Sequence, residues 1–346
     1  MKKQSKNSII TIIGGGAAGF FSAINIKEKN PKARCILIEG TKRILTKVKI
    51  SGGGRCNVTH NLFDPKSLTK SYPRGEKELL GPFYQFNPEH TIEWFKKRGI
   101  ELHAEKDGRM FPTSNKSTTI IDCFTKEAEK LGIELKLGQK ITEIKKEETG
   151  FTLSFLKEAN LHTDTLILAT GSSPSGHNFA KKLGHKLIEP VPSLFTFNIT
   201  HPLLSEMMGQ SFDEVKLELS FQKSLKLKKY KQTGPLLITH WGLSGPAVLK
   251  LSAFGARELF KTNYKAKLKT NFLSKLNTEE ALKELEQHKR KNLKGLVSKS
   301  HPFSLTKRFW SKILEIHGTK ETKTWQEISK KELQKISLIL TEMIFD

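Results

Sequence analysis

An α/β fold follows from three features of the sequence. The first is a β-branched run, Ser8-Ile9-Ile10-Thr11-Ile12-Ile13, leading into Gly14-x-Gly16-x-x-Gly19. An apolar helical pattern follows through Phe20, Phe21, Ala23, Ile24 and Ile26, then a second strand, Arg34-Cys35-Ile36-Leu37-Ile38, ending in Glu39. The second is Thr165-Leu166-Ile167-Leu168, another apolar run of buried-strand length, closed by the turn-forming Ala169-Thr170-Gly171. The third is a change of character after Pro190, where Pro190, Pro192 and Pro202 punctuate the chain and apolar residues begin to alternate with polar ones. Together they predict a Rossmann-like domain over residues 1–190, an inserted β-rich, barrel-like piece over 191–272 and a helical piece over 273–346.

Each element has a local reason. Glycines between a strand and a helix permit a tight turn and a close approach of backbone to a pyrophosphate, whose charge is favoured at the helix N-terminus. Gly14, Gly16 and Gly19, with Ala17 and Ala18 opening the helix, form this cradle, and Glu39 stands where an acid accepts a ribose hydroxyl. An acid there also argues against a 2′-phosphate. Beyond Pro190, Phe195–Ile199, Val215–Leu219 and Leu225–Leu227 alternate as half-buried antiparallel strands do, and Glu279–Leu296 and Lys331–Ile344 have the spacing of amphipathic helices. Gly234–Pro246, dense in turn formers, reads as a loop carrying His240 and Ser244.

Composition narrows the function. The 346 residues suggest about two domains. With 36% hydrophobic and 27% charged residues the chain has a soluble protein's balance. Lys2, Lys3 and Lys6 before an apolar stretch imitate a signal peptide, but Gly14, Gly15, Gly16 and Gly19 interrupt that stretch. No membrane association is expected. Cys35, Cys56 and Cys123 are too few for a disulfide framework and fit the reducing cytoplasm. The net charge of +24 makes RNA a candidate partner. It is densest at Lys223, Lys226, Lys228, Lys229 and Lys231, and at Lys289, Arg290, Lys291, Lys294 and Lys299. A lysine-painted surface without a polyanion partner is the plainer reading. No metal-ligand spacing and no nucleophile elbow is present, so redox chemistry would belong to a bound cofactor.

A second glycine segment, Lys47-Val48-Lys49-Ile50-Ser51-Gly52-Gly53-Gly54-Arg55-Cys56-Asn57, offers backbone N–H groups unobstructed by side chains. This segment, Ile13–Gly19, Gly108-Arg109-Met110-Phe111-Pro112, Leu166–Gly171, Pro192–Phe195 and Thr239–Pro246 occur in one order from residue 8 to about residue 255. In that order they resemble the BaiN/RdsA-like (YhiN-like) family of NAD(P)/FAD-dependent oxidoreductases.

The resemblance implies FAD in the Rossmann-like domain. Gly14, Gly16 and Gly19 would line its pyrophosphate and Glu39 its adenosine ribose. Lys47 and the loop Ser51, Gly52, Gly53, Gly54, Arg55, Cys56 and Asn57 would follow the ribityl chain and flavin, with Ala169, Thr170 and Gly171 against the cofactor. Leu45 and Thr46 stand where members usually carry Gly-Arg. The activity implied is reduction of a carbonyl-conjugated C=C bond by hydride from flavin N5, either in a uridine of ribosomal RNA or in a small enone. Cys56 is a candidate proton donor whose thiol Arg55 would draw toward thiolate, or else a small apolar filler. His240 and Ser244 are candidate donors to a substrate carbonyl, with His240 also a catalytic candidate. A second GxGxxG is lacking, so electrons would come from diffusible NAD(P)H or another protein. Members run on into a Gly-rich segment that closes over the flavin, whereas here the sequence stops at Leu338–Asp346. A second chain supplying that segment is therefore an expected partner, and a non-enzymatic RNA-binding remnant is the alternative to an enzyme.

Overall fold

The computed structural model describes residues 8–221 and 228–346; Lys2, Lys3 and Lys6, and Lys223, Lys226 and the expected strand Leu225–Leu227, lie outside the described residues. The chain divides into two compact units, Met1–Ile188 and Glu189–Asp346.

The first unit is built on a parallel sheet whose strands run in the order Thr165–Leu168, Ile9–Ile13, Arg34–Glu39 and Glu134–Leu137. Successive side chains of a strand point to opposite faces, and here both faces are covered. Ile10, Ile12, Cys35 and Leu37 pack with Phe20, Ala23 and Ile24 of the helix Ala17–Lys29 and with Ile120 and Phe124 of the helix Ser117–Lys130. The alternate set, Ile13, Ile36 and Ile38, packs with Ile144 and Leu153 of the antiparallel meander Ile141–Lys146, Phe151–Phe155, Leu161–Thr163 and with Phe179 of the helix Pro174–Lys182. Ile12, Ile36 and Ile38 are wholly buried, each contributing about 1.5–3 kcal/mol relative to exposure. A second small sheet pairs Arg109–Pro112 with Thr59–His60 and with Leu102–Ala104.

The second unit holds an antiparallel six-stranded sheet in the order Phe197–Asn198, Gly242–Ser244, Lys228–Thr239, Ser211–Phe221, Lys267–Asn271 and Met343–Phe345. It curls: His201, beside the first strand, meets Phe345 of the last edge-on at 5.0 Å between ring centres. The two edge strands do not pair, so the barrel-like insert is an open one.

Three elements differ from expectation. Pro246–Lys261 is a helix, opened by Gly245 in the left-handed region and burying Val248, Leu251 and Leu259 at helical spacing. Lys307–His317 is a further helix, capped by Thr306 and burying Phe309, Trp310, Ile313 and Leu314. The last helix, Lys330–Glu342, gives way to the strand Met343–Phe345, because pairing with Lys267–Asn271 satisfies its backbone and buries Phe345. Turn density at Gly234–Pro246 therefore marks close packing of strands, not a free loop. A Cβ at Gly242 would lie 2.4 Å from the Phe197 carbonyl oxygen, and one at Gly245 would lie 2.9 Å from that of Pro235. Among the described residues no helix is long and apolar enough to cross a membrane.

Candidate functional site

The first glycine turn is held by contacts that leave no room for side chains. Gly14 has φ +118, its N–H donates to the Ile38 carbonyl at 2.8 Å, and a Cβ there would lie 2.4 Å from the Ala169 carbonyl oxygen. At Gly19 a Cβ would lie 1.9 Å from the Gly14 carbonyl oxygen, so the helix can seat against the turn only at glycine. Gly16 is different, with nothing within 4 Å of its would-be Cβ. It caps the helix Ala17–Lys29 with no side-chain hydrogen bond and no acid in the first turn, and Ala17 and Ala18 are exposed. The first N–H groups of that helix therefore face open space, the arrangement that takes an anion. Glu39 is fixed across the turn, one carboxylate oxygen accepting the Gly15 N–H and the other the Thr41 N–H, each at 2.9 Å. Each oxygen keeps a second lone pair for a ribose hydroxyl.

Leu45 answers the departure noted in the sequence. Its backbone is left-handed (φ +52), the conformation glycine adopts without cost, while its side chain is buried in the unit's core. Its N–H donates to the Gly15 carbonyl at 2.8 Å, tying the two glycine segments together. Thr46 is exposed at the start of the segment Thr46–Gly54. That segment leaves helical geometry at Ser51, and Gly52, Gly53 and Gly54 follow in left-handed backbone at φ +56, +69 and +85. Gly52 packs, for its Cβ would meet Phe111 at 2.7 Å; Gly53 and Gly54 have nothing within 4 Å. Asn57 is exposed and Cys56, itself left-handed at φ +63, is buried.

Arg55 does not act on the thiol as expected. Its guanidinium pairs with Glu105 at 2.6 Å and lies over the Phe111 ring at 4.1 Å. Arg109 binds the other Glu105 oxygen at 3.0 Å and Asp107 at 2.7 Å. The role of Arg55 is thus to clamp the triglycine turn onto the Arg109–Pro112 strand. Burial pushes the Cys56 thiol above its ordinary range, with a Ser51 hydrogen bond offsetting part of the rise. The expected drift toward thiolate is corrected: burial moves the Cys56 thiol in the opposite direction.

The strand end Ala169-Thr170-Gly171 meets these turns from the other side. Its Ala169 N–H donates to the Ile13 carbonyl at 2.8 Å, and Gly171 is left-handed. Lys47 reaches over to donate to the Ser172 hydroxyl at 2.8 Å, with Gly171 alongside. Ser172 and Gly176 were missed by sequence reasoning. Thr170 is seated on Gly176, whose Cβ would lie 1.9 Å from the threonine hydroxyl. The signal was present in Pro174 at the first helical turn, which places Gly176 facing the strand end. All the expected cofactor residues fall in the first unit, on its two glycine turns, the end of the strand Arg34–Glu39 and the Leu168–Gly171 corner, and they fit a dinucleotide.

His240 and Ser244 lie in the second unit. His240 is exposed in the turn between two strands, its ring 3.9 Å from that of Trp241, and Ser244 is half-buried and pairs with Leu237. The basic stretches are less free than their composition suggests. Lys228 pairs with Glu258 at 2.6 Å, and Lys229 and Lys231 both pair with Glu218. Lys289 donates to the Ile328 carbonyl.

A family model described as the HI0933-like protein Rossmann domain matches residues 8–340. The chain is 31% identical over 251 residues to the ribosomal RNA dihydrouridine synthase of Escherichia coli (strain K12), covering 70% of this chain and 60% of that protein. It is 27% identical over 267 residues to the protein of the same name from Haemophilus influenzae, covering 73% and 62%. It is 26% identical over 260 residues to the 3-dehydro-bile acid delta(4,6)-reductase of Clostridium scindens, covering 73% and 61%. The matches thus span about 60% of the length of these relatives.

Proposed function

This chain belongs to the HI0933-like Rossmann family, and from that premise we propose that it is an FAD-dependent oxidoreductase that reduces uridine in ribosomal RNA to dihydrouridine. The observation that carries the cofactor is the open helix N-terminus at Gly16, with Glu39 fixed opposite and bare backbone at Gly53 and Gly54. Bound there, FAD supplies the hydride for a carbonyl-conjugated C=C bond. The protein's own part is positional. Amides of Gly16–Ala18 hold the phosphates, Glu39 takes the adenosine ribose, and Lys47 follows the ribityl chain. The glycines of 52–54 let backbone N–H groups approach the ring without side chains between. Cys56, whose thiol burial holds above its ordinary range, is the proposed proton donor to the substrate's α carbon. His240 and Ser244 are the proposed hydrogen-bond donors to the substrate carbonyl.

Two relatives named as ribosomal RNA dihydrouridine synthases and the net charge of +24 support RNA over a small enone. The reductase name of the Clostridium relative supports the enone as the second reading. With RNA as substrate the cytoplasm is the compartment and NAD(P)H the electron source. The test begins with the visible spectrum of the purified chain and the cofactor released on denaturation. Incubation of unmodified ribosomal RNA with NAD(P)H follows, with nucleosides read by mass spectrometry. Dihydrouridine above a Cys56→Ala control supports the RNA reading. Conversion of a steroid enone with untouched RNA replaces it, and a colourless chain that takes up no FAD ends it.

A further inference from the structure

The seam of the curled sheet in the second unit contains a cavity of about 970 Å³. That is at the upper end of the range for small-molecule sites. Its walls are apolar, with Phe197, Leu219, Leu268 and Phe345 buried and Phe195 half-buried. Its mouth is another matter. Tyr264 is 47% exposed there, next to Lys265 and Lys267.

Tyr264 is held in place at a cost. Asn263 and Tyr264 are successive left-handed residues, φ +51 and +61, beyond the end of the helix Pro246–Lys261. For a bulky residue that conformation is strained. The Tyr264 N–H donates back to the Leu259 carbonyl at 2.6 Å, which fixes the turn. The ring stands edge-on to Phe195 at 5.8 Å and 77° and to Phe260 at 6.5 Å and 82°. Neither neighbour stacks parallel to it, and the residue keeps 47% of its surface exposed to a planar group entering the mouth. Lys265 and Lys267 are exposed and have no carboxylate within 4.0 Å among the described residues, although Asp346 lines the same cavity. Asn198, exposed on the edge strand, adds an amide that both donates and accepts. A flat ring carrying an anionic tail satisfies all of these at once. That is the chemistry of a nucleoside phosphate.

We propose that the seam is a nucleotide subsite, holding an unstacked base of single-stranded RNA against Tyr264 with its phosphates on Lys265 and Lys267. The proposal rests on the RNA-substrate reading for its choice of source, since that reading requires the strand to be opened around its target and bases to be held out of the stack. Aromatic platforms flanked by lysines are how such strands are gripped without sequence preference. The lysines here are uncompensated, in contrast to Lys228, Lys229 and Lys231, which are already paired.

The test is binding of a labelled oligouridylate to the full chain by fluorescence anisotropy across a salt series, with UMP as competitor. Tyr264→Ala is expected to weaken binding about tenfold with an unchanged salt slope, and Tyr264→Phe to stay within about twofold of the parent. Lys265→Ala with Lys267→Ala is expected to flatten the logarithmic salt slope by about 1.4. The proposal is overturned if Tyr264→Ala binds like the parent, or if the parent chain does not bind the oligomer. It is also overturned if UMP alone binds as tightly as the strand, which makes this a free-nucleotide site. The two readings separate cleanly. Tyr264-dependent binding without dihydrouridine formation keeps the subsite and removes the proposed reaction. Dihydrouridine formation with binding indifferent to Tyr264 does the reverse.

Discussion

In the turn from Gly14 to Gly19 a Cβ at position 14 would lie 2.4 Å from one carbonyl oxygen and a Cβ at position 19 would lie 1.9 Å from another, whereas at Gly53 and Gly54 nothing lies within 4 Å. In the first turn Gly14 and Gly19 let protein pack against protein, with strand end, helix and turn meeting backbone to backbone, and Gly16 stands open. The second uses it so that backbone stays bare on the side away from the protein, and only Gly52 packs, against Phe111. The second is left-handed at Gly52, Gly53 and Gly54 and the first only at Gly14, and the residue is required for different reasons. Loss of a packed glycine should therefore act on stability, and loss of a bare one on whatever approaches the turn.

Substitutions test this in descending order of size. Gly19→Ala is expected to cost about 3 kcal/mol or more, because the Gly14 carbonyl is itself fixed and cannot retreat; the melting temperature should fall by about 6–12 °C. Gly52→Ala combines left-handed strain with a 2.7 Å approach to Phe111, which is fully buried, and should cost about 2 kcal/mol. Gly53→Ala carries the strain of φ +69 alone, about 1 kcal/mol, and Gly53→Asn less, since asparagine tolerates that region. The Gly53 variants should nonetheless lower FAD uptake by more than their melting curves imply. Thermal melting and flavin titration on the same samples decide it. Equal melting losses for Gly19→Ala and Gly53→Ala would erase the distinction.

The sequence carried the first turn well and the second only in part. Strand, spaced glycines, helix and acid form one local unit, so Gly14, Gly16, Gly19 and Glu39 were legible from order and spacing. The triglycine turn was legible as bare backbone, but its anchor was not. Arg55 is held by Glu105 and Phe111, some fifty residues on, and no local pattern announces that pairing. Leu45 was visible as a departure, yet its left-handed backbone and burial depend on the Gly15 carbonyl and a core assembled from distant segments. In the second unit Gly242 and Gly245 read as loop formers because tight sheet packing and loose turns ask for the same residue. The helix Pro246–Lys261 was hidden behind them, although proline in its first turn was a start signal in plain view.

The smallest effect concerns Arg55 and Cys56, adjacent in sequence and separate in electrostatics. If adjacency decided the matter, the guanidinium would stabilise a thiolate and lower its pKa. The structure sends that charge to Glu105, where it is matched, and leaves burial as the leading influence on the thiol, pushing its pKa up. A difference titration of ultraviolet thiolate absorbance between the parent and Cys56→Ala isolates this group from Cys35 and Cys123, whose pKa values are raised by burial to about 11. The Cys56 thiol is expected to titrate above an ordinary cysteine, and Arg55→Gln to leave its midpoint where it was. The same substitution should loosen the clamp, costing about 1 kcal/mol or less because both partners are partly exposed. A midpoint that rises in Arg55→Gln would mean that the arginine charge reaches the thiol after all. The second turn would then tune its cysteine electrostatically as well as present its backbone.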